Sequence, residues 1–189
     1  VRTAAEARQA AADNKIVVML SIENSYPLGE DLSLLATFHK LGVRLVGPVH
    51  GANNQFADSS TAVPRWKGLS PAGRELVKEA NRLGMVLDPS HASDETLDQM
   101  LDLSATPLLL SHSGAKDLFN HPRNVPDALL KKVAAKGGVV QINALGRYIE
   151  DVPPASPERV AALARLRETW GDPGALPRER HEQYLDALE

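Results

Sequence analysis

Glu23, His50, His91 and His112 each stand at or next to the carboxyl end of a short apolar run: KIVVMLSIE, VRLVGPVH, GMVLDPSH and TPLLLSHS. A fifth run, GGVVQINAL, carries Asn143 near its end. Neutral imidazole and carboxylate are donors that suit a divalent ion such as Zn²⁺, and side chains from separate strand ends can meet around one ion. A single histidine in such a place is more often a hydrogen-bonded loop residue than a ligand. Three at successive strand ends, with a glutamate at another, turn the odds toward a site. The chain has no cysteine, which excludes disulfides and thiolate ligands and leaves His, Asp and Glu.

The elements that hold these residues follow from periodicity. The five runs are rich in Val, Ile and Leu and read as strands buried on both faces, the kind found in parallel sheets. Helical patterns fill 31–41, 70–83, 93–103 and 126–136. SPAGRELVKEANRLG has a serine N-cap, a proline at the first helical position and a glycine after the last turn. SDETLDQMLDLS begins with a capping serine and places acidic residues in the first turn, where the helix dipole favours them. Strand and helix in alternation predict βαβ units, in either an open doubly wound sheet or a (β/α)8 barrel. Ligands bind at the carboxyl ends of the strands in both. No GxGxxG or GxxxxGK[ST] fingerprint follows any run, which favours the barrel.

Five strand and helix units are too few to close a barrel, which typically takes about 250 residues, whereas this chain has 189. The expectation is an incomplete central portion of a longer enzyme. Its single domain spans 1–189, with the repeating units in 1–150 and a Pro-rich loop and exposed helices in 151–189. At 43% hydrophobic and net charge −3, the composition is that of an ordinary soluble protein. No run approaches the roughly 18 apolar residues of a membrane span, and VRTAAEARQAAADNK lacks the character of a secretion signal. Location stays open between cytoplasmic and exported. Interspersed charge and 4% aromatic content argue against nucleic-acid binding.

Three stretches, SIENSYPLGEDLSLLATFHKLGVRLVGPVHGANNQFADSS, GLSPAGRELVKEANRLGMVLDPSHASDET and LLLSHSGAKDLFNHPRNVPDALLKKVAAKGGVVQIN, resemble in order and spacing the membrane (renal) dipeptidase family of zinc peptidases. The resemblance covers roughly 1–150. It implies a (β/α)8 TIM barrel of the metal-dependent hydrolase type, with two zinc ions bridged by Glu23. It further implies that His91 and His112 hold the second zinc, and that a metal-bridging hydroxide attacks the peptide bond of a dipeptide substrate. His50 matches the histidine that contacts the scissile peptide and stabilises the tetrahedral intermediate. Arg123 matches the arginine that binds the substrate's terminal carboxylate, for which a guanidinium fork is the natural partner. Tyr148 falls where a tyrosine lies near the same carboxylate. Family members commonly pair as homodimers. Asp88 and Ser111 are candidates to orient the ligands, with strand-end caps as the alternative role.

The sequence departs from the family in three places. No HxD pair precedes Glu23, no late aspartate follows to handle the proton, and Asn24, Ser25 and Tyr26 replace small residues after the glutamate. The 189 residues alone are therefore expected to be inactive. Two alternatives stay open: another metal-dependent amidohydrolase on the same barrel, and a non-catalytic metal-binding relative.

Overall fold

The computed structural model describes residues 1–187; Leu188 and Glu189, included in the expected domain, lie outside the described residues. The chain forms two compact units, Val1–Glu150 and Asp151–Glu189.

The first unit opens with helix α1 (Ala4–Ala12), followed by β1 (Leu20–Ile22), α2 (Ser33–Leu41), β2 (Val43–Val46), α3 (Pro71–Leu83), β3 (Val86–Leu87) and α4 (Asp94–Leu103). It continues with β4 (Leu109–Ala115), β5 (Asn124–Val125), α5 (Asp127–Ala135) and β6 (Val139–Ile142). The capping signals explain the helix limits. Ser70 Oγ accepts the Gly73 N–H at 3.0 Å, Pro71 occupies the first turn, and Gly84 ends α3 at φ +71°. Ser93 Oγ accepts the Thr96 N–H at 3.2 Å to start α4. Leu76, Val77 and Ala80 of α3 and Leu97, Met100 and Leu101 of α4 share one core with Val46, Phe56, Leu87 and Leu110.

All strand pairs are parallel and fall into two sheets, ordered β1-β2-β3 and β5-β4-β6. Among the described residues no ladder closes them into a barrel. Between β3 and β4 the link is a side chain: the Ser111 N–H donates to Asp88 Oδ1 at 3.1 Å.

The first apolar run behaves differently from its prediction as a strand buried on both faces. Only Leu20–Ile22 is strand, and Ile16, Val18 and Leu20 are 91%, 61% and 55% exposed. β1 bonds to β2 alone, so one of its edges has no partner among the described residues, and apolar residues there have nothing to pack against. β6 sits at the opposite edge, with Val139 and Ile142 exposed for the same reason. β5 is an addition to the five predicted strands; its two residues lie in HPRNVPD, where no apolar run announces a strand.

Gly47 is closely packed by backbone beneath the strand ends. A Cβ there would lie 2.5 Å from the Glu23 carbonyl oxygen and 3.1 Å from that of Asp88. Gly47→Ala is expected to destabilise the fold by about 1–3 kcal/mol through overpacking against backbone that cannot swing away. Thermal unfolding checks this, and an unchanged Tm would show that the strands can spread.

In the second unit, α6 (Pro157–Trp170) is capped by Ser156, whose Oγ accepts the Arg159 N–H, and α7 (Arg178–Asp186) follows. Tyr184 meets the Trp170 ring edge-on at 6.4 Å, and Arg180 lies over Trp170 at 5.4 Å. No described helix is long and apolar enough to cross a membrane.

Candidate functional site

Glu23 directly follows β1 and His112 lies within β4, while His50 and His91 stand beyond the ends of β2 and β3. The strands stop early at these two places because Pro48 and Pro89 have no N–H to donate to a ladder. The Gly47 N–H still reaches the Ile22 carbonyl and the Asp88 N–H the Val46 carbonyl, so both segments are directed as they leave the sheet.

The four side chains converge. Glu23 Oε1 is 3.0 Å from His91 Nε2, 3.3 Å from His112 Nε2 and 3.8 Å from His50 Nε2. The two facing Nε2 atoms of His91 and His112 are 2.9 Å apart. The His50 ring stacks at a tilt on His91, with centroids 4.0 Å apart. Glu23, His91 and His112 can therefore offer one ligand atom each to a common ion. The fit is chemical as well as spatial. Bonds of about 2.0–2.1 Å in a tetrahedral site put neighbouring ligand atoms about 3.3 Å apart, close to the separations found here. Burial, with Arg123, His50 and His112 adding to it against the opposing pull of Glu23, draws the His91 imidazole down to about 4. At neutral pH it is uncharged, the form that donates a lone pair to a metal.

Arg123 precedes β5 and is only 4% exposed. Its Nη2 donates to the His112 carbonyl at 3.3 Å, while Nε and Nη1 are buried with no hydrogen-bond partner in the protein. Burial pulls this guanidinium below its ordinary value, against the favourable influence of Tyr148, Asp88 and Glu23. The Tyr148 ring lies 5.7 Å from the guanidinium carbon. Tyr148 is anchored by its carbonyl, which accepts from Asn124 Nδ2 at 2.7 Å, and by His121, whose ring stacks on it at 4.5 Å. Two donors of a desolvated cation are thus left without a partner inside the protein, a costly state for such a group.

The other sequence candidates are placed as follows. The Asn143 N–H donates to the Ser113 carbonyl, and its Oδ1 accepts the Leu145 N–H, the arrangement of a strand-end cap. Ser25 is buried and donates to the Gly47 carbonyl at 2.8 Å, Asn24 accepts from Asn54 Nδ2, and Tyr26 is exposed. Ser90 was missed by sequence reasoning, although it sits between Asp88 and His91; its hydroxyl donates to Asp88 and accepts the His112 N–H. His121 closes the turn at Pro122 and Arg123, its carbonyl accepting the Asn124 N–H and its Nδ1 the Arg123 N–H, and its ring also backs Tyr148.

A parallel α/β scaffold here brings together a Glu, His, His donor set that could hold a metal ion, together with a buried arginine two of whose nitrogens have no partner in the protein. The chain belongs to the membrane dipeptidase family, peptidase family M19, whose family description matches residues 1–171. It is 45% identical over 141 residues to an uncharacterised dipeptidase of Schizosaccharomyces pombe, a match covering 74% of this chain and 34% of that protein. Among solved structures it is similar to the probable dipeptidase PvdM of Pseudomonas aeruginosa, with TM-score 0.75 and 31% identity, covering 100% of this chain and 52% of that one. It is also similar to a metallopeptidase of Rhodobacter sphaeroides liganded with a phosphinate mimic of the dipeptide L-Ala-D-Ala. There the TM-score is 0.75 and the identity 30%, covering 89% of this chain and 51% of that one. The chain thus spans about a third of the length of that curated relative and about half of the solved chains.

Proposed function

We propose that the full-length protein is a zinc-dependent dipeptidase on a (β/α)8 barrel, and that these residues supply its second metal site and its carboxylate pocket. The observation that carries this reading is Arg123: a buried guanidinium with two unpartnered nitrogens, reaching the backbone of the same His112 whose ring faces Glu23 and His91. A dipeptide is a substrate whose scissile carbonyl and free carboxylate lie only a few ångströms apart, so a metal-facing cluster and an anion-binding arginine must be neighbours.

Glu23, His91 and His112 would hold zinc, with Glu23 bridging two ions. When bound, such a pair lowers the pKa of a trapped water toward neutrality and polarises the carbonyl. His50 reaches the same cluster from the β2 side and is half exposed, which leaves Nε2 free to donate to the developing oxyanion. Arg123 and Tyr148 orient the substrate through its carboxylate. The solved relatives extend well beyond the matched stretch. The HxD pair and the late aspartate that the resemblance calls for are assigned to the rest of the full-length protein.

The test is metal content and hydrolysis by the full-length protein, with an unblocked dipeptide compared against its C-terminal amide. Bound zinc, cleavage of the free dipeptide that stops on chelation, and a large preference over the amide are expected. Equal turnover of the two would favour a different amidohydrolase. A metal-loaded protein without hydrolysis would favour a non-catalytic relative.

A further inference from the structure

We propose that Asp88, acting through Ser111, is a positioning residue that sets the tautomer of His112 and so turns an unprotonated Nε2 toward Glu23 and His91. Four donors converge on the buried Asp88 carboxylate. The Ser90 N–H donates at 3.0 Å and the Ser111 N–H at 3.1 Å, while the Ser90 and Ser111 hydroxyls each donate at 2.5 Å. Four donors and no acceptor are the partner set of an ionised acid, which can only accept.

The proton assignment then propagates outward. Ser111 has one hydroxyl proton, and it points to Asp88 Oδ2. Toward His112 Nδ1, 2.7 Å away, Ser111 Oγ can only accept, so Nδ1 carries the ring proton. A neutral imidazole protonated at Nδ1 has its lone pair on Nε2, the atom that faces Glu23 Oε1 at 3.3 Å and His91 Nε2 at 2.9 Å. Ser90 secures the same arrangement from the backbone. Its hydroxyl gives its proton to Asp88 and accepts the His112 N–H at 3.1 Å, so no donor in the network is left in conflict.

His91 lacks this control: its Nδ1 is buried and has no partner. His112 is thus pre-set as a ligand, and His91 is the adaptable one. The network lies where the two sheets meet without a ladder, so one carboxylate both joins β3 to β4 and orients the histidine on β4. A carboxylate that fixes a ligand through an intervening hydroxyl does the work of the more direct carboxylate–histidine pair. What Nε2 then binds rests on the zinc reading above; the tautomer does not.

The experiment uses metal-stripped full-length protein with ¹⁵N-labelled histidine at pH 7.5. Long-range proton–nitrogen correlations report both ring nitrogens, and the His112 signals are identified by their loss in His112→Gln. The wild type is expected to show His112 protonated at Nδ1 and not at Nε2. Ser111→Ala, which leaves Asp88 in place, should give a mixture of tautomers, and Ser111→Thr should restore the single form. Zinc affinity measured by chelator competition should fall about 10- to 100-fold in Ser111→Ala and recover in Ser111→Thr. Protonation of wild-type His112 at Nε2, or a Ser111→Ala protein with unchanged tautomer and affinity, would overturn the proposal. A wild type that shows the Nδ1–H form yet takes up no zinc would uphold the relay and refute the metal reading.

Discussion

Glu23→Gln in the full-length protein is expected to lower kcat/KM for dipeptides by about three orders of magnitude, roughly 4 kcal/mol of transition-state stabilisation. The substitution keeps the shape of the side chain and removes its charge. The carboxylate oxygen that lies within 3.3 Å of both His91 and His112 becomes half of a neutral amide, which would be a poor bridge between two cations. Metal content should fall with the rate. Folding should not suffer, because the Glu23 side chain is 53% exposed and makes no core contact. Elemental analysis, steady-state kinetics and a melting curve on the same sample separate these effects. A variant that retains both zinc and rate would remove Glu23 from the metal site.

The second large effect is expected at Arg123. Truncating one member of a buried charge pair costs about 2–5 kcal/mol, so Arg123→Met should reduce kcat/KM for a free dipeptide by some 30- to several thousand-fold. It should leave the already slow C-terminal amide almost untouched. If the amide suffers equally, Arg123 supports the site without reading the carboxylate. Stability should move in the opposite sense to activity. The substrate-free protein holds a desolvated guanidinium with Nε and Nη1 unpaired, and an apolar side chain of similar length removes that cost. Arg123→Met is therefore expected to melt at or above the wild-type temperature while losing activity, a combination that misfolding cannot produce. Arg123→Lys should recover little, since an ammonium offers a point charge where the pocket is shaped for a planar fork.

Much of this was legible without coordinates because the signals are local. A serine cap, a proline in the first turn and a terminal glycine delimit α3 whatever surrounds it. Apolar runs ending in His or Glu mark where strands lie because apolar patterning is a property of a few consecutive residues, although His112 falls within β4 and His50 and His91 beyond β2 and β3. The exposure of β1 and β6 was not legible, since burial of a strand depends on its neighbours in the sheet, which a local pattern does not specify. How far His50 and His91 stand beyond β2 and β3 was not legible either, because it depends on where the ladder to the neighbouring strand stops.

The repeating β and α elements, the candidate donor types and the family could be read without coordinates, because each rests on residue identity and spacing along the chain. Tertiary structure alone decided that Arg123 is buried without an acidic partner, that His121 backs Tyr148, and that Ser90 and Ser111 share one carboxylate. Hydrogen bonds between Asp88 and Ser111 join residues on different strands, and their directions follow from which protons are already committed elsewhere. A one-dimensional pattern can nominate such groups, but only their positions in space decide which one gives the proton and which one receives it.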